Sequence, residues 1–262
     1  MSKPSNPAPD TKNIPGYDKD YYSILEPSEG GSRLSAEIIV PLVLDLLKPA
    51  SIIDLGCGLG SWLSVFQENG VDDILGIDLP NVDRDLLLIP KEKFQPFDLR
   101  ERFRLDRTFA LSMCHEVVGH LTEKTVDAFM DDLVALAPIS LFSAPVPHQG
   151  GPNQVLLHWP QYWVEKFAAR GFRVLDPFRE KIWDNPDVKW WFCQNLLLFV
   201  REDVLAANET LQQAAAATRL SQLALVHPRL YLQTVARIDA GLVDTLREIP
   251  RLSVEAIKRR LG

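Results

Sequence analysis

The stretch Ser51-Ile-Ile-Asp-Leu-Gly-Cys-Gly-Leu-Gly-Ser-Trp-Leu63 constrains the fold more than any other part of the chain. Ser51 to Leu55 is a short apolar run of the kind that forms a buried strand, and it carries one acid, Asp54. Gly56, Gly58 and Gly60 follow at alternate positions, and Ser61 to Glu68 then reads as a helix. Glycine suits such a junction because the backbone must turn sharply and leave room for a ligand. The first amides of the helix lack partners and suit an anionic group. Ile74 to Ile77 gives a second strand ending at Asp78, where a carboxylate can accept hydrogen bonds from both hydroxyls of a ribose. This arrangement points to a nucleoside-containing cofactor. A dinucleotide fingerprint would space its glycines G-x-G-x-x-G, which this turn does not.

Strands and helices alternate through the rest of the region. Ser35 to Leu47 has apolar residues at helical spacing, with Ser35 as the expected N-cap and Pro41 allowing a kink. Strands are expected at Phe94 to Phe97, Phe109 to Met113, Ile139 to Ser143, Phe172 to Leu175 and Leu196 to Val200. Thr122 with the periodic Val126, Phe129, Met130, Leu133 and Leu136 marks one helix, and Pro160 to Arg170 another, stopped by Gly171. Such alternation specifies an α/β fold with a doubly wound, mostly parallel sheet covered on both faces. Residues 1 to 16, rich in Pro, Ser and Asn, are expected to be a disordered tail. Residues 17–203 form the sheet domain with an N-terminal helical lid. Residues 204–262 form a helical C-terminal extension, with Leu205 to Leu225 helical and His227-Pro228 breaking it.

A chain of 262 residues, 46% hydrophobic and 24% charged, can bury a sizeable core. Its net charge of -7 leans against nucleic-acid binding, which needs a dense field of Lys and Arg. The basic end, Lys258-Arg-Arg260, reads as a solvated helix terminus. Cys57, Cys114 and Cys193 are few and widely spaced, against a disulfide framework or thiolate metal site. The N-terminus lacks the apolar core of a secretory signal, and no apolar run approaches the roughly 20 residues that cross a bilayer. The expectation is a soluble cytoplasmic protein without a membrane partner.

The Asp-Leu-Gly-Cys-Gly-x-Gly run closely resembles the first motif of class I S-adenosylmethionine-dependent methyltransferases. The resemblance covers about residues 35 to 201. It implies a Rossmann-like sheet of seven strands, the last antiparallel, and S-adenosylmethionine as cofactor, released as S-adenosylhomocysteine. It places Asp54, Gly56, Cys57, Gly58, Gly60, Asp78 and Leu79 at the cofactor, with Asp98 and Leu99 near its adenine. Cys114 is implied beside the adenine, and Tyr22, from the Tyr17, Tyr21 and Tyr22 cluster, is a further cofactor candidate. A narrower likeness, to a bacterial group linked with glycan or glycosylated-metabolite synthesis, rests on four stretches. These are Tyr17 to Ser35, Pro147-His-Gln-Gly-Gly-Pro152, Trp159-Pro-Gln-Tyr-Trp163 and Trp190-Trp-Phe-Cys-Gln-Asn195, with His227-Pro-Arg-Leu-Tyr231 like that group's tail.

That likeness points to a small-molecule acceptor bearing a sugar hydroxyl. Methylating a hydroxyl requires its proton to be taken, so a positioned base is expected. His115, His120, His148 and His158 all fall between the fourth strand and the helix after the fifth, where the acceptor would enter. His120, His148, His158 and Glu116 are the catalytic candidates. Glu116 and His120 would share a face if their segment is helical. Many small-molecule methyltransferases carry Glu-x-x-Glu-His here and some hold a divalent metal with it; Gly119 replaces the second Glu, so no metal is favoured. The family pattern carries a histidine near Gln154. The aromatics Trp159, Tyr162, Trp163, Trp190, Trp191 and Phe192 are expected in the core or stacked on the acceptor. Other readings keep the cofactor with a carboxylate, amine or protein acceptor, or with no turnover; an amine signature of the Asn-Pro-Pro-Tyr type is absent. The C-terminal helices could pair two subunits.

Overall fold

The computed structural model describes residues 31–151 and 153–240. The chain divides into two compact units, with the boundary between Leu225 and Val226. In the first unit seven strands form one sheet: β1 Ser51–Leu55, β2 Asp73–Asp78, β3 Phe94–Pro96, β4 Leu111–His115, β5 Ile139–Ser143, β6 Phe172–Leu175 and β7 Leu197–Arg201, in the order β3-β2-β1-β4-β5-β7-β6. β1 pairs in parallel with β2 and β4, and β4 with β5, while β7 runs antiparallel between β5 and β6.

Strand residues alternate between two cores because successive side chains point to opposite faces. Ile52, Met113, Leu141 and Leu198 pack on one side with α1 (Gly31–Leu47), α2 (Ser61–Glu68) and the short α5 (Arg179–Ile182) and α6 (Trp190–Asn195). Ile53, Cys114, Phe142 and Phe199 pack on the other with α3 (Val126–Leu136) and α4 (Pro160–Ala168). Helices therefore change sides between β1 and β4. In open α/β sheets, the carboxyl ends of the strands at such a switch border the ligand crevice.

Several local expectations need correction. Ser35 does not cap α1, which begins at Gly31; its side chain is buried inside the helix and its Oγ accepts from Lys189 N at 2.9 Å. Ser35 to Leu47 is thus only part of α1, whose first turn is fixed by Arg33 reaching Ser64, Glu37 and Glu68. Leu205 to Leu225 is not one helix but α7 (Glu202–Ala206), α8 (Glu209–Ala217) and a turn of 3-10 helix, Leu220–Gln222. The break comes where Asn208 accepts from Leu211 N at 3.0 Å and so starts a new helix. Leu205, Leu211 and Leu223 are buried in the two cores, so residues 204–225 pack as part of the sheet domain rather than as an extension. In the second unit His227-Pro228 starts the helix over 228–240, with proline at its first position. No described helix is long and apolar enough to cross a membrane. The expectations for residues 1 to 30, Tyr22 included, and for 241–262 lie outside the described residues.

Arg179 ties the segment after α8 to the sheet. Its guanidinium, 3% exposed, pairs with Asp176 and donates to the carbonyls of Gln194, Leu223 and Gln222. Removing one partner of a buried ion pair strands the other charge and typically costs about 3–5 kcal/mol. Arg179→Ala should lower unfolding stability by about that amount in urea titrations; a loss of less than about 1 kcal/mol would show the clamp to be dispensable.

Candidate functional site

β1 leaves the sheet through the glycine turn, and β2 holds that turn in place. Gly56 N and Cys57 N both donate to Ile77 O, at 2.7 and 3.1 Å. Gly58 N donates to Asp78 Oδ2 at 2.6 Å, and Leu79 N to Asp78 Oδ1 at 2.7 Å. Gly56 has φ 80°, and a Cβ there would collide with Val117 of the loop after β4. Only glycine allows the two loops to come so close. At Gly58 a Cβ would meet nothing within 4 Å among the described residues, so this part of the turn borders open space.

Asp54 is buried under the turn, and its Oδ1 has no hydrogen-bond partner among the described residues. Burial, with the nearby Asp78 adding to it, pushes its carboxyl up to about 7. Cys57 fills the gap between the turn and Gly76, and burial pushes its thiol well above the ordinary value, which leaves it unreactive. An orphaned carboxylate oxygen, an anchored second carboxylate and an open glycine turn fit a ligand bearing both a ribose and a cationic group, as S-adenosylmethionine does.

The candidates nearer the adenine fit less simply. Asp98 is held by Arg100, whose Nε lies 2.9 Å from Oδ1 and whose backbone N donates to the same oxygen at 3.0 Å. Burial pushes the Asp98 carboxyl up, but the Arg100 bonds outweigh it and hold it below the ordinary value. Leu99 packs in the core beside Phe97 and Phe103. Cys114 is fully buried on the face of β4 that packs against α3. The strand alternation that buries Cys114 turns the next residue, His115, to the opposite side.

At the acceptor side, His115 packs against Trp62 at 4.4 Å and Phe192 at 5.7 Å between ring centroids. Both its ring nitrogens are buried without partners among the described residues, and burial pushes its pKa down to about 3. His120 lies in a turn of 3-10 helix, Val118–His120, with Nδ1 3.2 Å from Asn153 O. A carbonyl can only accept, so Nδ1 carries the proton and Nε2 the lone pair. Burial lowers the His120 pKa, with the Asn153 bond working the other way.

Glu116 and His120 do not form the expected pair. Glu116 has φ 61°, in the left-handed region, so no helix joins the two residues. Its carboxylate instead accepts from Gln149 Nε2 at 2.6 Å and Asn195 Nδ2 at 3.1 Å. Sequence reasoning missed Gln149 and Asn195 as members of the site: three separate segments meet here, and no spacing connects them. His148 is exposed at φ 68° on the loop after β5. His158 stands apart, stacked on Tyr162 at 3.8 Å with Nε2 2.7 Å from Glu123 Oε1.

Gly119 stands where the metal-associated motif has its second Glu, and a Cβ there would lie 2.6 Å from Pro145 Cγ. The backbone therefore has no room for that Glu. Among the described residues no three His, Cys, Asp or Glu side chains are grouped to hold a metal ion.

Residues 29–179 match a family described as a methyltransferase domain. A stretch of 36 residues is 56% identical to the ribosomal RNA large subunit methyltransferase E of Caulobacter sp. (strain K31), covering 14% of this chain and 16% of that relative's length. The fold is similar to that of the magnesium protoporphyrin IX methyltransferase ChlM from Synechocystis PCC 6803, solved with bound S-adenosylmethionine. There the TM-score is 0.51 at 17% identity, over 75% of this chain and all (100%) of that one. It is also similar to CalS10, an amino pentose methyltransferase from Micromonospora echinaspora, with a TM-score of 0.50 at 14% identity over 71% of this chain and 98% of that one.

The raised carboxyl of Asp54 makes a prediction about pH. An unfolded Asp titrates near 3.9, so between about 4 and about 7 the folded chain binds more protons than the unfolded one. The ligand-free protein should therefore lose stability as pH rises through that window. Asp54→Asn removes the effect. In thermal melts the variant should gain on the parent at about pH 8 and gain less at about pH 5; an equal difference at both would contradict the assignment.

Proposed function

The chain belongs to the methyltransferase domain family, and from that premise we propose that it methylates a hydroxyl of a small molecule, a sugar in a glycan or glycosylated metabolite. Its methyl donor is S-adenosylmethionine. ChlM and CalS10 act on a porphyrin and an amino pentose, so the acceptor is read from this chain's own residues.

The supporting observation is the pair of proton acceptors beyond the glycine turn. Glu116 is a carboxylate held by neutral amides, and His120 is an imidazole whose Nδ1 is occupied by a carbonyl. A hydroxyl must give up its proton to become a good nucleophile, and both groups can take one. A carboxylate acceptor needs no base and would be repelled by Glu116. The bound donor supplies an electrophilic methyl on a sulfonium. Asp78 and the glycine turn hold its nucleoside, Asp54 lies beneath the turn to balance positive charge, and Glu116 or His120 takes the acceptor's proton. Reactants held at attack distance account for much of the rate in such transfers.

The test offers the protein S-adenosylmethionine with sugar-hydroxyl, carboxylate and amine acceptors and reads the products by mass spectrometry. Hydroxyl acceptors should gain one methyl group. Glu116→Gln or His120→Ala should slow that gain by about 100-fold or more while donor binding is kept. Methylation of the carboxylates or amines alone would overturn the reading.

A further inference from the structure

Glu116 is a partly buried carboxylate held by neutral groups. Gln149 Nε2 donates to Oε2 at 2.6 Å and Asn195 Nδ2 to Oε1 at 3.1 Å. The two amides are themselves locked together: Asn195 Nδ2 also donates to Gln149 Oε1 at 2.8 Å, and Val146 N donates to the same oxygen at 3.2 Å. Gln194 Nε2 donates to Asn195 Oδ1 at 2.9 Å. With its oxygen committed to those donors, Gln149 can present only its NH₂ to Glu116, so the network fixes the direction of the amide. Gln149 and Asn195 are 8% and 3% exposed. They come from the loop after β5 and from α6, and they converge on the residue that leaves β4. Glu116 N donates to Ser143 O at 2.9 Å, and Val117 lies against Gly56. The backbone that carries the carboxylate is thereby held next to a residue that packs on the glycine turn.

From this geometry we propose that Gln149 and Asn195 are positioning residues that orient the Glu116 carboxylate to receive the proton of the acceptor hydroxyl. The inference rests on the hydroxyl reading above and goes beyond it, since it assigns the aiming of the base to two amides in separate segments. A carboxylate has about four lone-pair positions, and the two amides use two, which leaves capacity for the acceptor's hydroxyl as a further donor. The choice of neutral donors has a chemical reason. A guanidinium in the same place would hold the carboxylate ionised but make it a weak base. Amides supply direction at a smaller cost in basicity. Burial pushes the Glu116 carboxyl up, and Asn195, Ser143 and Gln149 only partly oppose it.

In the step itself the acceptor O–H bond breaks and its proton goes to a Glu116 oxygen. The acceptor oxygen forms a bond to the donor's methyl carbon, and the carbon–sulfur bond breaks with its electron pair left on sulfur. The products are a methyl ether and S-adenosylhomocysteine, and Glu116 then releases the proton to water.

Other titratable side chains stand on the elements around Glu116: Asp54 of β1, Cys114 and His115 of β4, His120 of the following turn, His148 of the loop after β5 and Cys193 of α6. The readout must therefore report Glu116 itself. Glutamate labelled with carbon-13 at the carboxyl, with the Glu116 signal assigned by its loss in Glu116→Gln, gives its titration midpoint without any acceptor. Gln149→Leu and Asn195→Leu each remove a donor to the charged form and should raise that midpoint by about one pH unit. Gln149→Asn, which keeps the amide but shortens its reach, serves if a leucine variant does not fold and should raise it too. Midpoints that stay unchanged in the folded variants overturn the clamp. With a methylated acceptor from the panel above, the acid limb of the rate profile should move to higher pH by the same amount; a limb that stays in place while the midpoint moves overturns Glu116 as the proton acceptor. A panel with no methylated hydroxyl overturns the hydroxyl reading instead, and the midpoints alone then decide whether the amides clamp Glu116.

Discussion

Asp78 accepts from two backbone amides, Gly58 at 2.6 Å and Leu79 at 2.7 Å, and the two donors lie on the turns by which β1 and β2 leave the sheet. A carboxylate bonded this way fixes the glycine turn relative to the strand beside it. The turn in turn determines how close the β4 loop can come, because Val117 sits where a side chain on residue 56 would have to be. Through Val117 the position of Glu116 follows. The glycine turn and the loop that carries Glu116 are thus joined by a short chain of contacts that starts at one carboxylate.

Much of this frame was legible in the sequence because its signals are local. β1, α2, β5 and β6 have the bounds read from their apolar runs and flanking glycines. The alternation of strands and helices pointed to a mostly parallel sheet, the family resemblance added seven strands with the last antiparallel, and the strand order itself came only from the structure. The short helices α5 and α6 escaped notice since tertiary bonds, not periodicity, hold them: Arg179 binds Gln194 O, and Lys189 N binds the Ser35 hydroxyl deep in α1. Ser35 looked like a cap for the same reason that serine usually is one. Its actual partner lies 154 residues away in sequence.

The acceptor side was legible only as an inventory. The sequence set Glu116 and four histidines in one region, but not their bonds. Arg100 holds Asp98 from two residues away, and Gln149 and Asn195 reach Glu116 from 33 and 79 residues away. Side-chain orientation decides each of these, and residue types carry little information about it. Gly119 is the instructive exception: the missing carboxylate was visible in the sequence, and its physical reason, Pro145 against the backbone, emerged only in three dimensions.

The central claim is that the glycine turn and Asp78 bind S-adenosylmethionine, and calorimetric titration tests it most directly. S-adenosylmethionine and S-adenosylhomocysteine should both bind in the micromolar range, and NAD should give no heat of binding. In Asp78→Ala both dissociation constants should rise by about tenfold or more, equivalent to about 1.4 kcal/mol, and the melting temperature should fall as well, since the turn loses its two anchoring bonds. Preferred binding of NAD, or an unchanged affinity in the variant, would contradict the account.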